Sequence, residues 1–236
     1  MFDTRTELLL GSEKLNKLKN SNVLIVGVGG VGGYAAEMLC RASVGQITIV
    51  DADVVSESNI NRQLLALHST IGQKKVDVLG ERMLDINPDL KLIKVAKFLQ
   101  EEDIIELLDS QKFDYVVDAI DTLTPKIELI RHSLMRTIPL VSSMGAGSKL
   151  DPTRIEVVDI SKTHHCPLAH MLRKRLHKIG IRKGFKAVFS AEPPIEGSMI
   201  LCNEQNKKSN VGTISYLPSV FGIAAASAVV RDLIEK

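Results

Sequence analysis

The chain has 236 residues, 44% apolar and 25% charged, the composition of an ordinary soluble globular protein with room for one sizeable core or a core plus a small extension. A net charge of +2 excludes a global electrostatic field for nucleic acid or membrane, so any basic partner site has to be local. Cys40, Cys166 and Cys202 form no CxxC pair and cannot all be bridged. The N-terminal MFDTRTELLLG carries acids and no long apolar run, so a reducing cytoplasm is expected and no signal peptide.

In chain order, the first apolar run, Val23–Val26, predicts a central parallel strand. It is followed by the loop Gly27-Val28-Gly29-Gly30-Val31-Gly32 and a helix over Tyr34–Arg41. Ile47–Val50 predicts a second strand ending at Asp51. Further elements follow: a helix over Gly72–Asn87, a strand over Leu90–Ala96, a helix over Glu101–Leu108, a strand over Tyr115–Ala119, a proline-opened helix over Pro125–Met135 and a strand over Pro139–Ser142. This alternation specifies an α/β fold, a Rossmann-like three-layer sandwich on a mostly parallel sheet. The pattern changes after Gly145. Ile155–Ile160 and Lys186–Phe189 predict strands, Pro167–Ile179 an amphipathic helix, and residues 192–210 a mobile loop.

Residues 211–230 carry no charge and approach the length of a membrane span. Gly212, Ser215, Pro218, Ser219 and Gly222 interrupt them, so the expectation is a strand, a turn at Pro218 and a buried helix ending near Arg231. Gly222, Ala225, Ala226 and Ser227 would let that helix pack closely on another element or a second subunit.

GVGGVG between a strand and a helix lets backbone approach phosphates, with the helix N-terminus offering unpaired N–H groups. Asp51 stands where an acid can take ribose hydroxyls. The motif alone indicates an adenine nucleotide and is commonest in NAD enzymes. The polar stretch Asp51 to Gln63 alters that balance. Cleaving ATP needs cations at the departing pyrophosphate. Arg62 and Lys75 could supply them, and Asp121 could hold Mg²⁺ across phosphate oxygens. Taken singly, Arg62 could be a surface charge, Lys75 part of a solvated helix face and Asp121 a helix cap.

Between Ile160 and Ala191 there is no Asp or Glu, while Lys162, Arg173, Lys174, Arg175, Lys178, Arg182, Lys183 and Lys186 all occur. Helical spacing puts Leu168, Met171, Leu172, Leu176 and Ile179 toward the core and His170, Arg173, Lys174, His177 and Lys178 on the opposite face. A one-sign stripe suits RNA phosphates, and it equally suits a solvated helix. His164, His165, Cys166 and His170 offer zinc chemistry but lack a second ligand pair at a recognisable spacing. Cys40 is expected in the core.

GVGGVG, DADVVSESNINRQ, GQKKV and DAIDT, in this order, resemble the ubiquitin-activating-like adenylation family, which includes the molybdopterin- and thiamine-pathway activators. The stretches RTELLLG, NINRQLLALHSTIGQKKV, DAIDTLTPK, DPTRIEVVDISKT and AVFSAEPP extend the likeness over nearly the whole chain, toward its tRNA-modifying branch. The resemblance implies one adenylation domain over 1–236: a nucleotide-binding half, 1–145, and a half for substrate, tRNA and dimerisation, 146–236. It implies ATP and Mg²⁺ as cofactors, with Gly29, Gly30 and Gly32 at the ATP phosphates and Asp51 on the ribose. Asp53, Asn59, Arg62, Gln63 and Lys75 would complete the nucleotide site, and Asp121 would hold the metal.

Arg5 matches an arginine lent to the partner subunit's ATP, which implies a homodimer with Arg5, Arg62, Lys75 and Asp121 as the catalytic set. The implied reaction is ATP-dependent dehydration of threonylcarbamoyladenosine in tRNA, with Arg173, Lys174, His177, Lys178, Arg182 and Lys183 on the tRNA and sulfur-transfer accessory proteins as further partners. Two positions depart from the family pattern, which has an acid where this chain has Cys166 and Thr where it has Ala191. The paired CxxC zinc motifs of the molybdopterin and thiamine activators are absent, as is an evident acceptor cysteine. The alternatives are a sulfur-carrier activator, an NAD-dependent oxidoreductase and a non-catalytic nucleotide-sensing RNA binder.

Overall fold

The computed structural model describes residues 2–204 and 207–235, without the side chains of residues 200–210. Its centre is β1 (Asn22–Val26), a wholly buried apolar strand. β1 pairs in parallel with β2 (Gln46–Val50) on one side and β4 (Tyr115–Asp118) on the other. With β3 (Lys91–Val95), β5 (Leu140–Ser143), β6 (Ile155–Asp159) and β7 (Lys186–Ser190), the sheet runs in the order β3-β2-β1-β4-β5-β7-β6. Only β6 is antiparallel to its neighbour, as expected for the edge strand of a mostly parallel sheet. Strand order reverses between β1 and β4, which opens a ligand crevice beyond their C-terminal ends.

Alternating residues of the central strands feed two apolar layers. Val23, Ile25, Tyr115 and Val117 join the layer of α3 (Gly32–Arg41), α4 (Lys75–Ile86) and α8 (Tyr216–Glu235). Leu24, Val26 and Val116 join the layer of α5 (Glu101–Asp109), α6 (Leu123–Met135) and α7 (Pro167–Lys178). Cys40 lies in the first layer, fully buried as expected. At the N-terminus, α2 (Ser12–Lys19) packs on α8, while α1 (Thr4–Leu10) buries none of its residues.

Three expectations are corrected. The segment expected to be a loop carries the antiparallel hairpin β8 (Met199–Glu204) and β9 (Lys207–Val211), because Met199-Ile200-Leu201-Cys202 is a β-prone run and its backbone finds a partner strand; residues 205 and 206 lie outside the described set. Pro218 makes no turn. It sits in the first turn of α8, where the N–H it lacks would have no acceptor anyway.

On α7 the buried face is Ala169, Leu172 and Leu176, whereas Met171 and Ile179 are exposed. The narrow i, i+3, i+7 stripe joins the second apolar layer beside α6, and residues flanking it turn outward. α8 is long and apolar enough to cross a membrane, yet half of that apolar stretch is buried within the chain. A side chain at Gly222 would stand 2.3 Å from the Val31 carbonyl oxygen, so α8 and α3 touch almost backbone to backbone, the close packing expected of its small residues.

Candidate active site

The glycine loop is folded by contacts only glycine permits. Gly27 adopts φ +86°, and a Cβ there would lie 2.7 Å from the Ala119 carbonyl oxygen. A Cβ on Gly32 would fall 1.8 Å from the Gly27 carbonyl oxygen, so Gly32 serves the close approach of α3 to β1. The backbone N–H groups of Gly29, Gly30, Val31 and Gly32 have no acceptor among the described residues. Four free donors at the N-terminus of a ten-residue helix form an anion site by geometry alone.

Asp51 ties this loop to the end of β2. One carboxylate oxygen accepts from the Val28 N–H at 2.8 Å and the other from the Asp53 N–H at 2.9 Å. Burial raises the Asp51 pKa, and the nearby Lys75 ammonium and the two N–H donors oppose that shift without cancelling it. Each Asp51 oxygen keeps a second lone pair for a ribose hydroxyl.

Beyond Asp53 the chain makes a short 3₁₀ turn, Glu57–Asn59, closed by Asn59 accepting from the Ser56 N–H at 3.1 Å. The turn places Arg62 and Gln63 over the glycines. A Cβ on Gly30 would be 3.5 Å from Arg62 Cγ and 3.1 Å from Pro218 Cβ, and one on Gly29 would be 3.6 Å from Gln63 Nε2. Arg62 is half-buried and forms no carboxylate pair among the described residues. Among the described residues its guanidinium donates only to the Ser58 carbonyl at 2.9 Å and Asn61 Oδ1 at 2.8 Å, and Asn61 in turn donates to the Thr213 carbonyl at 3.0 Å. Gln63 Oε1 is buried without a donor among the described residues. A cation without a counter-ion and an unsatisfied acceptor beside four free N–H groups suit a polyanionic, hydrogen-bonding ligand.

Lys75 opens α4 almost fully buried and holds Asp53 at 2.7 Å, so the protein itself brings these two expected residues together. Asp121 stands just past β4 with its carboxylate exposed and unpaired among the described residues. Ala119, two positions earlier, takes the β1 ladder onward by donating to the Val26 carbonyl at 2.9 Å. A lone exposed carboxylate at the strand ends, beside an anion site, fits Mg²⁺ bound through one acid and phosphate oxygens.

Sequence reasoning missed the buried group behind Asp121. Asp118 and Lys126, both fully buried, pair at 2.8 Å, and Ser142 donates to Asp118 at 2.6 Å. The signal was present: an acid closing the apolar run Tyr115–Val117 has to find a cation or several donors.

On the substrate side, Cys166 is buried above Gly145, while His164, His165 and His170 are exposed, so the four do not converge. The buried Lys149 ammonium, which burial pushes below its ordinary pKa, is held by the carbonyls of Ser190 at 3.2 Å, His165 at 3.4 Å and Glu192. Ala191 donates to the Arg154 carbonyl at 2.9 Å. On α7 and just after it, Lys174, His177, Lys178, Arg182 and Lys183 are exposed, and Arg173 turns inward to Thr163. Arg5 is exposed on α1.

The sequence pattern of the ThiF family matches residues 4–236. The chain belongs to the ThiF family. Among curated relatives of this ThiF-family chain, the tRNA threonylcarbamoyladenosine dehydratase of Bacillus subtilis is 45% identical, with 98% of this chain and 94% of the relative covered. The Escherichia coli protein of the same name is 35% identical over 98% of this chain and 92% of its own length. The crystal structure of the E. coli enzyme in complex with ATP superposes with a TM-score of 0.89 at 34% identity, covering 98% of this chain and 93% of that one.

Proposed function

We propose that this chain is an ATP-dependent tRNA threonylcarbamoyladenosine dehydratase, which adenylates the threonyl carboxylate and closes the ring. The observation that carries the reading is Arg62: its side chain starts beside Gly30, in a loop with four free N–H groups, and its guanidinium has no carboxylate partner among the described residues. An NAD enzyme needs no such cation at its diphosphate, whereas displacement of pyrophosphate does. The named relatives, matched over almost their whole length, support the same reading.

In the proposed reaction the free N–H groups of residues 29–32 receive phosphate oxygens and Asp51 the ribose. Asp53, Asn59 and Gln63 border the nucleotide. Asp121 would hold Mg²⁺, which supplies charge neutralisation at the phosphates. The threonyl carboxylate oxygen bonds to the α-phosphorus as the bond to pyrophosphate breaks, and Arg62 stabilises the charge leaving with pyrophosphate. Lys75 joins it by exchanging Asp53 for phosphate. The substrate's own carbamoyl group then bonds to the activated carbonyl carbon and loses a proton as AMP departs. The attacking group is tethered, so positioning replaces a protein nucleophile.

Residues 1–145 form the nucleotide half and 146–236 the half for tRNA and dimerisation. Lys174, His177, Lys178, Arg182 and Lys183 line tRNA phosphates along α7 and beyond its C-terminal end, with Arg173 at the margin. Two copies of the chain associate through the 146–236 half, and α1 reaches across: Arg5, Leu8 and Leu9 share one face, the leucines are 83% and 82% exposed, and Arg5 serves the partner's ATP. The setting is cytoplasmic.

Incubation with ATP, Mg²⁺ and threonylcarbamoyladenosine-bearing tRNA, followed by nucleoside mass analysis, tests the reading. Loss of one water with stoichiometric AMP is expected. Tight NADH binding without ATP turnover, or an adenylate on a sulfur-carrier protein with the tRNA unchanged, would overturn it.

A further inference from the structure

The Asp118–Lys126 pair has no evident reason to exist for stability. Both side chains are fully buried, and replacing such a pair by apolar groups of similar volume is commonly neutral or stabilising. What the pair does hold is one residue of backbone. Asp118 Oδ1 accepts the Ile120 N–H at 3.1 Å, and the Lys126 ammonium donates to the Ile120 carbonyl at 2.9 Å. These two groups belong to the peptide planes on either side of Ile120, so both of its dihedral angles are fixed.

The second plane carries the N–H of Asp121. The pair is itself fixed from both directions: Asp118 lies opposite Ser142 in the β4–β5 register and accepts from its hydroxyl, while Lys126 rides in the first turns of α6. On the other side, the Ala119 carbonyl lies against Gly27. One buried ion pair thus references the Asp121 segment to β5, α6 and the glycine loop together.

We infer that Asp118 and Lys126 are positioning residues for Asp121, setting where its carboxylate meets the metal-bearing phosphates of the nucleotide. The inference rests on the adenylation reading. Its force comes from geometry: Asp121 has no protein partner among the described residues to aim it, so its placement is inherited from the backbone behind it.

The test compares wild type with Asp118→Leu/Lys126→Met, which removes both charges and both bonds to Ile120. Melting temperature, equilibrium binding of ATP with and without Mg²⁺ by calorimetry, and kcat and KM for pyrophosphate release at varied Mg²⁺ are measured. The double variant is expected to melt within a few degrees of wild type and to bind metal-free ATP within about threefold. It should lose most of the tightening that Mg²⁺ gives, need at least about tenfold more Mg²⁺ for half-maximal rate, and lose kcat at least about tenfold.

A folded double variant with Mg²⁺ dependence and kcat within about twofold of wild type overturns the inference. Should it fail to fold, Lys126→Met, which removes the bond to the Ile120 carbonyl and leaves an Asp118 that can neutralise by taking a proton, decides on the same criteria. A wild type that binds no ATP would instead sink the adenylation reading, so the two failures are separable.

Discussion

Replacing Arg62 by alanine probes the site where its chemistry is most exposed to refutation. The Arg62 side chain leaves the backbone beside Gly30, and its guanidinium has two neutral acceptors, Ser58 O and Asn61 Oδ1, with no carboxylate partner among the described residues. Truncation therefore leaves no buried charge orphaned, and stability should change by no more than about 0.5 kcal/mol, or ~1–2 °C in melting temperature for a chain of this size. The effect on chemistry is of another order. A unit charge ~4 Å from a phosphate is worth ~4 kcal/mol at an effective dielectric constant of ~20. Losing a donor to developing charge costs ~10²–10³ in rate.

Arg62→Ala should thus lower kcat/KM for pyrophosphate release by about two to three decades, with kcat carrying most of the loss. Arg62→Lys should recover part of it, since it restores the charge without the planar fork. The assay is pyrophosphate release under saturating modified tRNA, paired with a thermal melt of each variant. A folded Arg62→Ala protein within tenfold of wild type would refute the argument that this cation meets the leaving group.

Two further predictions concern the scaffold. Glu37 on α3 accepts from Arg41 at 2.8 Å and from Arg82 on α4 at 2.6 Å. Burial alone would raise its pKa, but the two arginines outweigh burial and hold the carboxyl below its ordinary 4.5. The folded value lies below the unfolded one, so this stability is full above about pH 4.5 and is lost as pH falls through the folded value. Glu37→Gln should cost about 1–2 kcal/mol at pH 7, after discounting for the half-exposed arginines, and the difference between the two melting curves should shrink as pH falls below 4.5. Parallel curves down to pH 3 would contradict the linkage.

Tyr115, buried at the start of β4, donates to Asp232 Oδ2 at 2.7 Å, and Asp232 also holds Lys186. Tyr115→Phe should lose ~1.5 kcal/mol, since partly solvated Asp232 can recruit water, and melt ~3–6 °C lower. Pyrophosphate release should be unchanged, because this end of the strand is opposite the ligand crevice. A loss of activity at equal foldedness would show that the crevice senses the opposite ends of the central strands.

Asp118 shows why part of the site was illegible. The motif GVGGVG, the acid closing β2 and the cations after it could be read along the chain because each follows its strand by a few residues, and local order fixes which end of the sheet they occupy. Asp118, Lys126 and Ser142 come from two strands and a helix, and they meet only when β4 lies beside β5 and α6 folds back across them. No spacing rule announces such a meeting, although a carboxylate inside an apolar run marks that a partner must exist. α7 differs for a related reason: its sequence allows a broad apolar stripe, and the layer it shares with α6 buries only the Ala169–Leu172–Leu176 line. The hairpin β8–β9 is hard to read from the sequence because the polar run Asn203–Asn210 carries no alternating apolar signal.

By itself, then, the sequence determined the alternation of strands and helices, the parallel sheet, the glycine turn and the polarity of the crevice. Those follow from short-range hydrophobic periodicity and from backbone shapes only glycine can adopt. The tertiary structure alone decided how the charges pair: Lys75 with an exposed Asp53 at the crevice, Lys126 with Asp118 in the interior, and Arg62 with no carboxylate among the described residues. Ion pairing depends on distance in three dimensions and on the desolvation that accompanies burial, and neither is set by order along the chain.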